Sequence, residues 1–114
     1  MSSSTEAILI KTAARWKIPR DLAVFVISRD LQCIYCSEEF QYSASMRRSL
    51  PSWEHIVNDL ALVTDANIAL CCVGCNASKG NRSLATWLES RYCKTHNVAD
   101  RMAPVALAAL VSSK

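Results

Sequence analysis

Cys33-Ile34-Tyr35-Cys36 and Cys72-Val73-Gly74-Cys75 are the stretches whose reading decides the fold of this 114-residue chain. A two-residue spacer lets the backbone turn so that both sulfurs of a pair face one point. Two such pairs supply the four thiolates of a closed, tetrahedral metal site. The alternative for six cysteines is three disulfides, which belong to an oxidising compartment. The opening Met1-Ser2-Ser3-Ser4-Thr5-Glu6 has no basic leader, and the apolar run behind it, 7–10, is too short for a signal core. A cytoplasmic protein with reduced thiols is expected, in which Cys33, Cys36, Cys72 and Cys75 hold a structural Zn²⁺. Cys71 offers a second spacing, Cys71-x3-Cys75, but the strand before Cys72 turns Cys71 into the core. Cys93 reads as a packing residue.

Working outward from the cysteines, residues 52–57 and 68–72 read as two short paired strands. From Cys72 a helix runs to near Gly80, and Ser83 caps another with Leu84, Trp87, Leu88 and Tyr92 on one face. Residues 37–51 read as a polar loop. Ahead of the first pair, residues 5–17 read as a helix, and Pro19 closes it or starts the next element. The apolar run 22–27 suits either a buried strand or a helix, and its charged flanks favour a second helix over 20–30. The Ala-rich tail 97–114 reads as a packing helix with Pro104 in its first turn. An α+β fold is expected in one domain over 1–114: a helical extension 1–32, a zinc-stapled core 33–95 and a C-terminal helix or tail 96–114.

Composition narrows the class. At 51% hydrophobic and 20% charged, the chain is neither disordered nor fibrous. A net charge of +3 suits a phosphate backbone but equally suits a solvated surface. The longest apolar stretch, 103–111, contains a proline and is too short to span a bilayer, so no membrane partner is expected.

Between and beside the cysteine pairs lie Glu54-His55-Ile56, Asn67-Ile68-Ala69-Leu70 and Cys75-Asn76-Ala77-Ser78-Lys79-Gly80. In this order they resemble the HNH endonuclease family, whose pattern runs Cys-x2-Cys, Asp/Glu-His-Ile, Asn-Leu, then Cys-x2-Cys-His/Asn-x-x-Lys. The likeness covers roughly residues 33–90. It implies a ββα-metal, treble-clef-like core and hydrolysis of DNA phosphodiester bonds, leaving 5′-phosphate and 3′-hydroxyl ends. By that likeness His55 is the general base. Glu54 and Asn76 hold Mg²⁺ or a similar divalent cation, Asn67 braces the hairpin and orients His55, and Lys79 meets a phosphate oxygen. Glu54 stands where many members carry Asp, Asn58 where they carry Pro, and the hairpin connection lacks their glycines.

Blander roles compete for some of these residues. Asn67 also fits a turn, and Lys79 before Gly80 a basic helix end. Arg47, Arg48, Arg82 and Arg91 suit solvated surface as well as phosphate contacts, and His96 has no partner motif. Adjacent strand residues face opposite sides, so Glu54 and His55 serve one site only where their strand ends or bends. Two rival readings stand beside the nuclease: a zinc-stapled nucleic-acid-binding module without catalysis, and a zinc-stabilised protein-interaction domain.

Overall fold

A computed structural model describes residues 2–112; Met1 and the last two residues of the expected tail helix, Ser113 and Lys114, lie outside the described residues. The chain opens with two helices packed on each other, α1 (Ser3–Arg15) and α2 (Arg20–Arg29). Ser2 caps α1 by accepting from the Thr5 amide. Trp16 closes α1, and Pro19 immediately precedes α2. The run 22–27 is helical: Ala23, Val26 and Ile27 share one buried face while Val24 and Phe25 stay exposed.

The Cys33–Cys36 turn follows, closed by an antiparallel bridge between Gln32 and Glu39, and the polar segment after it contains a 3₁₀ turn over Ala44–Ser49. Strand β1 (Pro51–His55) then pairs antiparallel with β2 (Ile68–Cys72), with Pro51 opposite Cys72 and His55 opposite Ile68. β1 stops two residues before the sequence reading placed its end. The Asn67 side chain takes over there: its Oδ1 accepts from the Val57 amide at 2.7 Å, and its Nδ2 donates to the Val57 and Leu62 carbonyls. These bonds satisfy backbone groups of the connection and tie its two ends together.

β2 runs directly into α3 (Val73–Lys79), which Gly80 ends at φ 54°, ψ −131°, a conformation suited to glycine. The helix expected after Ser83 is two helices, α4 (Leu84–Leu88) and α5 (Arg91–Thr95). Ser90 restarts it by accepting from the Cys93 amide in an extended N-cap conformation. The expected tail helix is also two, α6 (Val98–Arg101) and α7 (Pro104–Ser112), parted at extended Met102 and at Ala103, whose place before Pro104 disfavours helix. The architecture is α+β: helices around one two-stranded antiparallel sheet.

One buried apolar cluster runs from Leu9 in α1 through Trp53, Ile56, Leu70 and Trp87 to Ala106 in α7. The first helix is tied to the sheet by the Trp53 indole, which donates to the Leu9 carbonyl at 2.8 Å. α2 is tied to it at Arg29 and Asp30, which form a two-pronged ion pair. Buried Asp30 also accepts from the Leu70 amide at 3.0 Å, and Arg29 donates to the Asp65 and Ile68 carbonyls. Asp30→Ala is expected to cost about 2–4 kcal/mol, since it orphans a strand amide and a half-buried guanidinium. Chemical denaturation measures this; a loss under about 0.5 kcal/mol, the size of an ordinary surface change, would show that the hairpin does not depend on this anchor.

Candidate functional site

Two side-chain clusters flank the hairpin. In the first, Cys33, Cys36, Cys72 and Cys75 are all buried and their sulfurs lie within 4.8 Å of one another. Local backbone geometry builds each half. The Tyr35 amide donates to Cys33 Sγ and the Cys75 amide to Cys72 Sγ, both at 3.4 Å, so each pair is closed by an N–H···S bond. Ser37, at φ 62°, turns the chain away after Cys36. From outside the pairs, the Tyr92 hydroxyl donates to Cys75 Sγ at 3.3 Å.

The crowding perturbs the thiols in opposite directions. Hydrogen bonds from Cys36, Cys72 and Cys75 hold Cys33 well below the ordinary thiol range, while hydrogen bonding with Cys33, Cys36 and Cys72 pushes Cys75 far above it. Four thiolates this close would need a cation among them, and the cluster could hold a metal ion. Cys71 lies outside it, buried on the opposite face of β2 with Sγ 3.9 Å from Ser52 Oγ, and burial pushes its thiol up. Cys93 is buried in the core.

The second cluster forms where β1 ends. Glu54, His55 and Asn76 border one cavity of about 130 Å³, with Trp16, Asn58 and Gly80. Glu54 and His55 are adjacent in β1 yet both border the cavity, His55 being the last residue of the strand. Asn76, on α3, donates from Nδ2 to Ser52 Oγ and the Trp53 carbonyl, both at 3.0 Å, which leaves Oδ1 as the atom it offers a ligand. His55 Nε2 is the one buried side-chain nitrogen or oxygen without a hydrogen-bond partner among the described residues. Burial lowers the His55 pKa from 6.5; Lys79 adds to this and Asp59 opposes it. Asn67 is buried and braces the hairpin connection, and it does not border the cavity.

Lys79 lies elsewhere than the sequence reading put it. Its side chain is 1% exposed and its Nζ stands 3.4 Å from Glu54 Oε2, so it faces the interior and cannot meet an external phosphate from there. The same oxygen accepts from the Tyr35 hydroxyl at 2.6 Å. Burial raises the Glu54 pKa, with Lys79 and Tyr35 opposing that shift. Arg82, among the expected surface cations, donates to the Ser78 and Lys79 carbonyls and so caps the end of α3.

A buried pair punishes the loss of one partner. Lys79→Met is expected to cost about 3–5 kcal/mol at pH 8, because Glu54 is left as an unpaired buried carboxylate. Without Lys79 the folded-state pKa of Glu54 rises further above its unfolded value. The penalty is therefore largest at high pH and shrinks as pH falls through that raised pKa. Adding Glu54→Gln should restore most of the loss. Denaturation of the single and double variants at pH 5 and pH 8 checks this; a pH-independent loss would mean that Glu54 does not feel Lys79.

Sequence reasoning missed Tyr35 and Trp16. Tyr35 is a spacer residue inside a cysteine pair, and no pattern marks such a residue as a carboxylate's partner. Trp16 did carry a signal: an aromatic set among Lys11, Arg15, Lys17 and Arg20 at the end of a helix. No family model, characterised protein or solved structure matches the chain. Among the described residues no helix is long and apolar enough to cross a membrane.

Proposed function

We propose that this chain is a metal-dependent HNH-type endonuclease that hydrolyses DNA phosphodiester bonds, with β1, β2 and α3 as its ββα-metal unit in one domain. The observation that carries the reading is the convergence of Glu54, His55 and Asn76 on one cavity, beside a buried imidazole nitrogen with nothing to bind. Zn²⁺ is the ion proposed for the cysteine cluster. Zn–S bonds of about 2.3 Å set tetrahedral sulfurs about 3.8 Å apart, and Cys36 Sγ lies 3.9 Å from Cys72 Sγ.

At the cavity a carboxylate and an amide oxygen suit a hard divalent cation such as Mg²⁺, with water and phosphate completing its shell. Held by Glu54 and Asn76, such a cation would supply positive charge to the phosphoryl and leaving 3′ oxygens. His55 would supply the base: it borders the cavity, burial favours its neutral imidazole, and the unpartnered Nε2 is the atom that would take a proton from the attacking water once a local shift opens it to the cavity. Lys79 already neutralises Glu54 in part, so the cation binds weakly and full activity needs it in excess. That same ion pair is what favours the second reading, a nucleic-acid-binding module without catalysis.

Supercoiled plasmid incubated with the protein in Mg²⁺, in Mn²⁺ or without added divalent ion separates the two readings. Nicking that depends on the added ion and leaves 5′-phosphate ends supports the nuclease. Binding without nicking under any ion overturns it in favour of the module.

A further inference from the structure

The cavity that His55 borders is walled on one side by the residue that closes the first helix, outside the nuclease-like segment. Trp16 is 49% exposed, and its ring lies 6.2 Å from that of His55 in an edge-on arrangement. The Trp53 indole bond to the Leu9 carbonyl docks α1 on β1, which makes the placement a property of the fold. Leu60, 62% exposed, borders the same cavity. Two large apolar side chains therefore stand largely in water beside the cavity of His55, where their exposed surface gains little for stability.

The sequence around Trp16 carries charge of one sign. Lys11, Arg15, Lys17 and Arg20 are all exposed, and no acidic residue occurs between Glu6 and Asp21. The mild net charge of +3 thus conceals a run of sequence, 7–20, whose four charged residues are all cations and which contains Trp16. An exposed aromatic among cations is the recognition chemistry of unpaired nucleic acid, in which the ring stacks on a base and the cations follow the phosphates.

We infer that Trp16 is a stacking platform for an unpaired nucleobase next to the scissile phosphate, and that the preferred substrate is single-stranded or locally unpaired DNA. The inference rests on the nuclease reading for its cleavage consequence only; the stacking site stands on its own geometry. A base held on the indole brings the neighbouring phosphate to the cavity, and the exposed cations Lys11, Arg15, Lys17 and Arg20 are available to the phosphates that follow. A stacked duplex hides its base faces and cannot use Trp16 without unstacking. Trp16 is thus a specificity-determining residue, since the proton-transfer atom belongs to His55.

Intrinsic fluorescence tests the site without relying on cleavage, because Trp53 and Trp87 are buried and Trp16 is the exposed indole. Titrating His55→Ala protein with an oligothymidylate should quench emission, and adding Trp16→Phe should abolish most of the quench. Trp16→Ala should weaken oligothymidylate binding by roughly 5- to 150-fold, the range that base–aromatic stacking supports, and Trp16→Phe should recover much of it. In the otherwise unaltered protein, Trp16→Ala should lower the ratio of single-stranded to linear-duplex cleavage by a similar factor. Thermal melting controls for folding, which a half-exposed side chain influences little.

A quench by oligothymidylate that needs Trp16, in a protein that nicks nothing, would uphold the stacking site and overturn the nuclease reading. Cleavage that is intact, with an unchanged ratio and no quench, would overturn the platform and leave the nuclease reading standing.

Discussion

Cys75→Ser is expected to leave the chain unfolded or aggregated at neutral pH, and a strong chelator should do the same to the unaltered protein. Structural zinc in four-cysteine sites is worth apparent values of about 10–16 kcal/mol. A domain of this size has about 5–15 kcal/mol of total stability, so nothing else in the fold can absorb the loss. The site's position explains the breadth of the effect. Cys33 and Cys36 follow α2, Cys72 and Cys75 join β2 to α3, and Tyr92 reaches Cys75 from α5. Without an ion, the crowded thiols cannot all ionise, because like charges within 4.8 Å repel. The unfilled cluster then buries polar sulfur for no return. Cys71→Ser and Cys93→Ser make the contrast, since both lie outside the cluster and should remain folded with milder losses. Elemental analysis of folded protein should give one zinc per chain. A well-folded protein with no bound metal, or a Cys75→Ser variant that melts like the parent, would remove the zinc proposal.

His55→Ala is expected to lower cleavage by about 10²–10⁴, the usual contribution of a general base. Folding should survive. His55 makes an edge contact with Trp16, but its Nε2 holds no hydrogen bond that the fold would miss. Nucleic-acid affinity should survive as well, because the base acts on water rather than on phosphate. The pH profile follows from burial. The base works as neutral imidazole, and burial holds the His55 pKa below 6.5. Cleavage should therefore climb with pH at a midpoint under 6.5 and stay flat above it, if protonation of His55 is what limits the acid side. A variant that melts, binds and cleaves like the parent would show that His55 is not the base. A midpoint clearly above 6.5 in the parent would assign the proton transfer to another group.

What the sequence determined was local and periodic. The Cys-x2-Cys spacing places two sulfurs together whatever surrounds them, because the constraint is satisfied within a few residues of chain. α1, α2, the hairpin and α3 were legible for similar reasons: caps, prolines and apolar spacing act over a turn or two. The breaks at Ser90 and before Pro104 were written in the same local code, but continuous apolar patterning hid them. Tertiary structure decided the rest. It turned Lys79 inward to Glu54, since a helix face has no solvent side until its neighbours are in place. It brought Tyr35 to the same carboxylate and Trp16 to His55, pairs separated by 19 and 39 residues respectively (54 − 35 and 55 − 16). Contacts at that range depend on how α1 docks against β1 through Trp53 and Leu9, and no short stretch of sequence contains both sides of such a contact.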